Sequence, residues 1–302
     1  VWLRMSGVAM ADRPLVLALG EVLWDLLPGG RQLGGAPANF AYHAAQLGAD
    51  ARIVSAVGDD ELGREILDRL RSQSLDTSYV AVDRDHPTGV VTVTLDLAGQ
   101  PSYTIHEDVA WDYIPTNRGL LDLAAKAECI CFGTLAQRSR TAREAIRAVL
   151  SRVGPNALKI LDINFRQDYY DRELVDRSLR AASVLKINEQ ELEELPTLLG
   201  DPDAEIFDRY PGMELLAVTR GEGGSSLRSS DGTHVEHPGY PAVPMVDAVG
   251  AGDSFTAALA VGLLRGLPLA RINDNANRLA SFVCTQPGAT PAIPVELLAR
   301  MH

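Results

Sequence analysis

Asp253 directly follows three small residues, Gly250-Ala251-Gly252, and precedes a stretch rich in Ala and Leu. Small residues let the backbone turn tightly, and the Ala/Leu stretch predicts a helix near 253–266. The free amides at such a helix start favour anionic oxygens. The Asp253 carboxylate beside them then has two interpretations of about equal weight. It is a base that takes a proton from an attacking hydroxyl, or it is a helix cap.

A second segment, Gly34-Gly35-Ala36-Pro37-Ala38-Asn39, places two glycines just ahead of a predicted helix at 37–48. The glycines allow the backbone to approach a ligand closely, and the Asn39 amide can donate to and accept from hydroxyls. Asp25, upstream, adds an acceptor carboxylate, so the segment could bind a polyol. The alternative is a glycine-rich hinge with Asn39 as a cap.

Two common nucleotide-binding motifs are absent from the sequence. A Walker A loop requires Gly-Lys, and none of the three lysines, Lys126, Lys159 and Lys186, follows a glycine. The dinucleotide fingerprint requires a third glycine where Phe255 stands. Bound phosphates would therefore have to be neutralised by helix amides, Mg²⁺ and arginine.

The elements that must position these residues alternate between short apolar runs and helical patterns from Leu15 onward. This alternation predicts an α/β fold, in which a mainly parallel central sheet lies between two layers of helices in a three-layer α/β/α sandwich. We predict core strands near 15–20, 52–57, 128–132, 158–163, 184–187 and 214–219. We predict helices near 37–48, 61–73, 139–152, 173–182, 189–199, 253–266 and 270–285.

Two segments, 21–33 and 88–106, break the alternation and are typical of strands joined by Gly- and Pro-containing turns, the second a hairpin around Ala98-Gly99-Gln100-Pro101. Strands without crossover helices should form a small separate sheet. We therefore predict a β-sheet lid, residues 21–36 and 87–111, on a large α/β domain, residues 13–20, 37–86 and 112–302. The exposed edges of such a sheet suggest pairing into a homodimer.

Polar residues follow four of the predicted core strands. Ligands of open parallel sheets bind outside the carboxyl ends of the strands, so these residues predict one binding rim. Singly, each has a structural explanation, such as a helix cap at Asn188 and Glu191, a solvated charge at Arg166 and a strand end at Thr219. Their arrival on one rim favours function for the set: Gly133-Thr134, Asn164, Arg166, Asn188 and Thr219-Arg220-Gly221.

Composition limits the partners. The chain has 302 residues, 46% hydrophobic and 23% charged, as in ordinary globular proteins. A formal net charge of −12 argues against nucleic acid or an anionic membrane as partner. No apolar stretch approaches the roughly 20 residues that span a bilayer. Cys129 and Cys131 alternate on a predicted buried strand, the third cysteine stands apart, and residues 1–13 show no secretion signal, so we expect a cytoplasmic protein.

Residues 34–58 and 247–260 resemble the two signature regions of the PfkB, or ribokinase-like, carbohydrate kinases, and the similarity extends from Leu15 to Pro294. The stretches 20–28 and 33–40 resemble the fructokinase branch. The resemblance implies a ribokinase-like fold. It also implies transfer of the γ-phosphoryl group of ATP to a sugar hydroxyl, with O6 of fructose as the expected acceptor.

The resemblance also implies roles for individual residues. Asp253 would be the base, and Arg166 would lie near the sugar and the transferred phosphate. The anion hole would be Gly250, Ala251 and Gly252, and the sugar-binding set Asp25, Gly34, Gly35 and Asn39. Asn188 and Glu191 would organise Mg²⁺ through water. The ATP-binding set would be Asn188, Thr219, Arg220, Gly221, Gly224, Gly252 and, on the adenine side, Asn277.

Two positions depart from the family pattern. Ala248 stands where a hydroxyl residue is common, and Arg220 stands where many members have lysine. Asp247 with carbonyls around 284–289 could still bind a monovalent cation, which predicts activation by K⁺. Alternative acceptors are ribose, 2-keto-3-deoxygluconate or a nucleoside such as adenosine. A non-catalytic sugar or nucleotide sensor is disfavoured because the base and the anion hole are both retained.

Overall fold

The computed structural model describes residues 13–27, 29–95, 101–200 and 205–301. Residues 1–12 and the predicted hairpin tip at 98–100 lie outside the described residues. The strands, in chain order, are β1 (Leu15–Leu19), β2 (Leu23–Leu27), β3 (Gly30–Gly34), β4 (Asp50–Gly58), β5 (Val80–Asp83), β6 (Val90–Leu95), β7 (Pro101–Ile105), β8 (Cys129–Phe132), β9 (Leu158–Asp162), β10 (Val184–Asn188), β11 (Leu215–Thr219), β12 (Ser225–Ser229) and β13 (His234–His237).

The helices divide the strands as the alternation predicts. They are α1 (Ala36–Gln46), α2 (Glu61–Ser72), α3 (Arg118–Ala124), α4 (Arg140–Arg152), α5 (Arg172–Ala181), α6 (Glu189–Leu199), α7 (Ile206–Arg209), α8 (Ala251–Leu264), α9 (Leu269–Cys284) and α10 (Val295–Arg300). Throughout the described ranges, no helix combines the length and the apolar character that crossing a membrane requires.

Nine strands form the central sheet in the order β13-β12-β11-β10-β9-β8-β1-β4-β5. The run from β11 to β5 is parallel, and β12 and β13 pair antiparallel at one edge. The chain proceeds from β1 to β4 on one side and later returns to β8 on the other. The strand order therefore reverses between β1 and β8, which is where open α/β sheets leave a binding crevice.

Two buried clusters cover the two faces of this sheet, which confirms the three-layer prediction. Alternate residues of β1 point to opposite faces, so Val16 and Ala18 join one cluster and Leu17 and Leu19 join the other. Cys129 and Cys131 share the first face and are buried free thiols, as their alternation predicts.

A separate four-stranded sheet has the order β3-β2-β6-β7, and all its strands lie within the predicted lid segments. β6 pairs antiparallel with β7, as a hairpin requires, and β2 pairs parallel with β6. Trp24 and Trp111 are both fully buried, and the Trp24 indole donates to the Leu62 carbonyl at 3.0 Å. Both aromatic side chains therefore serve packing.

Candidate active site

The start of α8 provides uncapped amides. Gly250 is its N-terminal boundary residue, with a left-handed φ of 78°, and no side chain caps the helix. A Cβ on Gly250 would lie 2.6 Å from the Ala289 carbonyl oxygen. The turn therefore requires glycine both for its left-handed φ and for this close approach. In the described part of the chain, the Gly252 and Asp253 amides have no acceptor. They are free to bind an anionic oxygen.

Asp253 lies in the first turn of α8, and its side chain does not cap the helix. Instead, Asp253 Oδ2 accepts a 2.8 Å hydrogen bond from Asn39 Nδ2. Burial raises the pKa of Asp253 to about 6, repulsion from Asp162 adds to the rise, and the Asn39 hydrogen bond and the charges of Lys186 and Arg166 oppose it. The cap interpretation is wrong, because helix α8 begins two residues earlier than the sequence pattern indicates.

Asn39 is likewise no cap, because α1 begins at Ala36, after Gly35. Asn39 is 4% exposed, and its Oδ1 is buried without a hydrogen-bond partner among the described residues. Gly35 has φ 110°, and a Cβ there would lie 2.5 Å from the Glu21 carbonyl oxygen. The glycine thus lets α1 start against the end of β1, which brings Asn39 to Asp253.

Lys186 reaches the same place from β10, a position that the sequence indicates only as a buried strand. Its Nζ lies 3.0 Å from Asp162 Oδ1, and a Cβ on Gly252 would lie 3.1 Å from it. Asp162 Oδ2 accepts from Thr256 Oγ1 at 2.8 Å. Burial acts to lower the pKa of Lys186, but the charge of Asp162 raises it above its ordinary value. A lysine therefore does lie beside the free amides at the start of α8, although no Gly-Lys motif places it there.

Asp25 and Gly34 lie on adjacent lid strands, β2 and β3, in close contact. A Cβ on Gly34 would clash with the Asp25 carboxylate, so the carboxylate occupies the space that the missing side chain leaves. Burial raises the pKa of Asp25 to about 6, and Arg166 opposes the rise. Arg166 is exposed on a loop where Asn164 (φ 44°) and Gln167 (φ 48°) are left-handed, and its charge acts on Asp25 and Asp253 alike.

Asn188 and Glu191 form a capping box at the start of α6, as the structural interpretation of these residues holds. Asn188 Oδ1 accepts from the Glu191 amide, and the Glu191 oxygens accept from the amides of Asn188 and Phe165, each at 2.9 Å. Both Glu191 oxygens already accept one hydrogen bond each, which favours contact with a hydrated Mg²⁺ through water. Their role toward Mg²⁺ stays a prediction. In the ranges described, no cluster of three His, Cys, Asp or Glu could hold a metal ion.

The loop from Thr219 to Gly224 folds on itself between β11 and β12. The Arg220 amide donates to the Gly224 carbonyl at 2.8 Å, and Arg220 Nη2 donates to Ser226 at 3.0 Å. A Cβ on Gly224 would lie 2.0 Å from the His237 carbonyl oxygen, so Gly224 is needed for strand packing. Among the residues that the structure describes, no atom lies within 4 Å of a Cβ placed on Gly221. Contact of this loop with ATP stays a prediction.

Asn277 lies on α9 and is turned toward β12. Its Nδ2 donates to Ser225 Oγ at 2.7 Å and to the Asn273 carbonyl at 2.8 Å. The Asn277 side-chain nitrogen is therefore used in hydrogen bonds within the protein. Contact of Asn277 with adenine stays a prediction, and Oδ1 is the side-chain atom that could make it.

Asp247 connects the segment before α8 to the chain after α9. Its Oδ1 accepts from Val249 N at 2.9 Å and its Oδ2 accepts from Gly288 N at 3.2 Å. The Cys284 carbonyl accepts from the Val246 and Asp247 amides. Each of these oxygens therefore already accepts a hydrogen bond from a backbone amide. A monovalent cation here stays a prediction.

A cleft at the carboxyl ends of β1, β8 and β9 brings several of these residues together. It contains Asp253 and two side chains that the rim rule identifies, Thr134 and Asn164, while Asn188, Thr219 and Asn277 do not line it. Its acidic lining also includes Glu21, which the sequence reasoning missed. The signal was available, because Glu21 is the first charged residue after β1 and the same rim rule applies to that strand.

Fold and cleft together define a class of protein. A small β-sheet beside a doubly wound sheet, with a half-buried carboxylate at an uncapped helix start, is an arrangement that can position a hydroxyl and neutralise phosphate charge, as phosphoryl transfer demands. The profile of the pfkB family carbohydrate kinases matches residues 29–296. The chain belongs to this family, and it is a phosphotransferase.

Individual relatives agree over nearly the whole chain. A fructokinase of Klebsiella pneumoniae is 33% identical, over 92% of this chain and 96% of its own. A sugar kinase of Pyrococcus horikoshii is 30% identical over 91% of both chains. The crystal structure of that P. horikoshii kinase in complex with ATP has a TM-score of 0.82 and covers 95% of this chain and 100% of its own. An aminoimidazole riboside kinase of Salmonella typhimurium is 28% identical, over 92% of both chains.

Proposed function

We propose that this protein is an ATP-dependent fructokinase that converts fructose to fructose 6-phosphate. The observation that carries the proposal is the Asn39–Asp253 hydrogen bond, because it joins the two signature segments beside the free amides of α8. Fructokinases among the relatives support fructose as acceptor, and ATP complexes of related kinases support ATP as donor.

In the proposed reaction, Asp253 accepts the proton of the primary hydroxyl while the oxygen of that hydroxyl bonds to the γ-phosphorus. The bond from that phosphorus to the β,γ-bridging oxygen breaks, and ADP leaves. Asp253, with a pKa of about 6, is ionised at neutral pH and needs no further activation. Because phosphoryl transfer depends mainly on positioning and charge neutralisation, a modest base is sufficient.

Charge on the transferred group would be neutralised from three sides. Of the expected anion hole of Gly250, Ala251 and Gly252, the Ala251 amide already donates to the Ala248 carbonyl at 3.3 Å, so the amides of Gly252 and Asp253 would face the group from the helix start. Lys186 lies beside Gly252, and the charge of Arg166 acts on Asp253. Mg²⁺ would enter with ATP as the Mg²⁺·ATP substrate, and Asn188 and Glu191 would hold it through water, where it would help to neutralise the phosphate charge. Asp25, Gly34, Gly35 and Asn39 would hold the sugar, and Thr219, Arg220, Gly221, Gly224 and Asn277 the nucleotide.

Closure of the lid would exclude water and so suppress hydrolysis of ATP. We also propose a cytoplasmic location, since the three cysteines are free thiols, as a reducing compartment favours. Pairing of lid edges into a homodimer remains a prediction for sedimentation analysis.

The test is a panel of acceptors with Mg²⁺·ATP and coupled detection of ADP. Fructose should give the highest kcat/KM, and preference for ribose, 2-keto-3-deoxygluconate or adenosine would assign the protein to another branch of the family. Sugar binding in calorimetry without any turnover would instead favour a sensor.

A further inference from the structure

Glu21 is a buried carboxyl at the point where the strand order reverses. It follows β1 by two residues, is 5% exposed and lines the cleft that also holds Asp253. Its backbone carbonyl fixes the position of Gly35, so the residue is held between β1 and the start of α1.

Three acidic side chains line the cleft, and two of them have side-chain partners. Asp162 is paired with Lys186 and Thr256, and Asp253 accepts from Asn39. Glu21 differs from both.

For Glu21, the described residues supply only backbone donors. Its Oε1 accepts from the Ala36 amide at 3.3 Å, and no described lysine or arginine lies within salt-bridge distance. Burial raises the pKa of Glu21 to about 7, and Asp253 adds to the rise, while the backbone amides of Glu21 and Ala36 and the charge of Arg166 oppose it. A carboxylate can accept several hydrogen bonds, so a buried one that only backbone amides satisfy keeps the capacity to accept from a ligand hydroxyl.

The charge of the cleft lining narrows the class of ligand. Glu21 and Asp253 contribute carboxyls without a cation at salt-bridge distance, whereas Asp162 is paired with Lys186. The described lining residues include no lysine or arginine, although the charge of Arg166 acts on both Glu21 and Asp253. A hydroxyl can donate to Glu21, whereas a carboxylate on the acceptor would meet like charges in a place of low dielectric.

We infer that Glu21 binds a hydroxyl of the acceptor and, together with Asp253, restricts the acceptor to uncharged sugars. This inference rests on the proposed sugar kinase activity and deepens it, since it disfavours aldonic and ketodeoxy sugar acids among the acceptors. Glu21 would act as a specificity residue and take no part in proton transfer.

The experiment crosses two Glu21 variants with a set of acceptors. Steady-state kinetics of wild type, Glu21→Gln and Glu21→Asp are measured with fructose, with each monodeoxyfructose that retains the 6-hydroxyl, and with 2-keto-3-deoxygluconate. Glu21→Gln keeps an acceptor for the Ala36 amide and removes the charge. Glu144→Gln, an exposed change on α4, is the matched control.

We expect Glu21→Gln to raise the KM for fructose about tenfold or more, with the KM for ATP unchanged. One deoxy analogue should have a low kcat/KM with wild type, and its kcat/KM should fall little further with Glu21→Gln. The reason is that removing the sugar hydroxyl and removing the Glu21 carboxylate abolish the same hydrogen bond. The ratio of kcat/KM for the sugar acid to that for fructose should rise in Glu21→Gln and stay low in Glu21→Asp. Glu144→Gln should match wild type throughout.

Several results would overturn the inference. The inference fails if Glu21→Gln leaves the KM for fructose unchanged, or if its effect is additive with that of every deoxy analogue. It also fails if wild type phosphorylates the sugar acid efficiently. If Glu21→Gln does not fold, Glu21→Asp decides, since a tenfold rise in fructose KM supports the inference and an unchanged KM refutes it. Absence of turnover by wild type with every sugar would refute the proposed function itself, which is a distinct outcome.

Discussion

Asn39 on α1 and Asp253 on α8 are 214 residues apart in sequence, and their side chains meet at 2.8 Å. The contact places an amide donor on the carboxylate that lies beside the free helix amides. It also holds the start of α1 against the start of α8, so the position of each segment depends on the other.

Loss of the Asn39 amide should shift the pH dependence of the enzyme. The hydrogen bond lowers the pKa of Asp253, so Asn39→Ala should raise that pKa above its present value of about 6. The base must be ionised, and the acidic limb of kcat/KM should therefore move to higher pH. Asn117→Ala, which removes only the cap of α3, should leave the limb in place. An unshifted limb in Asn39→Ala would contradict the assignment.

Lys186 should be important for stability. Lys186→Met leaves the buried Asp162 carboxylate without its cation, which should cost about 3–5 kcal/mol in the free energy of unfolding measured with urea. Adding Asp162→Asn should recover part of the loss, because the amide still accepts from Thr256. Lys159→Met, on the neighbouring strand, should cost much less. Equal losses in the two lysine variants would show that the pair has no special role.

Gly250 should be intolerant of a side chain for two separate reasons. Gly250→Ala introduces a left-handed alanine and a clash with the Ala289 carbonyl, so we expect a loss of stability and a fall in kcat of about tenfold or more. Gly266→Ala has the same backbone strain, with φ 65° and no atom near its Cβ. It should cost about 1 kcal/mol without affecting kcat. Equal kcat in the two variants would argue against an anion hole at Gly250.

A monovalent cation near Asp247 should be detectable from activity. We expect kcat to be higher in K⁺ than in Na⁺ or Tris at equal ionic strength, and we expect Asp247→Ala to abolish the difference. Equal rates of wild type in the three buffers would remove the proposed site.

Much of the fold follows from the sequence because the parallel strands are short, fully buried and separated by amphipathic helices. The strand Leu215–Thr219 is found almost where its apolar run predicts it. The two antiparallel strands at one end of the sheet, Ser225–Ser229 and His234–His237, were missed because they are polar, and only the pairing of the first with β11 and of the two with each other makes them strands. The short strand Val80–Asp83 and the helices α3, α7 and α10 were also missed.

The candidate site was predictable where a motif carries it and unpredictable where only tertiary contact does. The Gly250–Asp253 turn has a local signature. Lys186 does not, since an interior strand position gives no sign of which charged group its side chain will meet. Asn188 differs from Lys186, because its local sequence pattern predicts a helix cap and the structure shows Asn188 as the cap of α6.

The most direct measurement is the steady-state kinetics of Asp253→Asn with fructose and Mg²⁺·ATP, beside wild type. If Asp253 is the base, kcat should fall by roughly 100-fold or more with little change in either KM, since the amide keeps the shape of the side chain but cannot take the proton. Turnover of Asp253→Asn close to that of wild type would contradict the account.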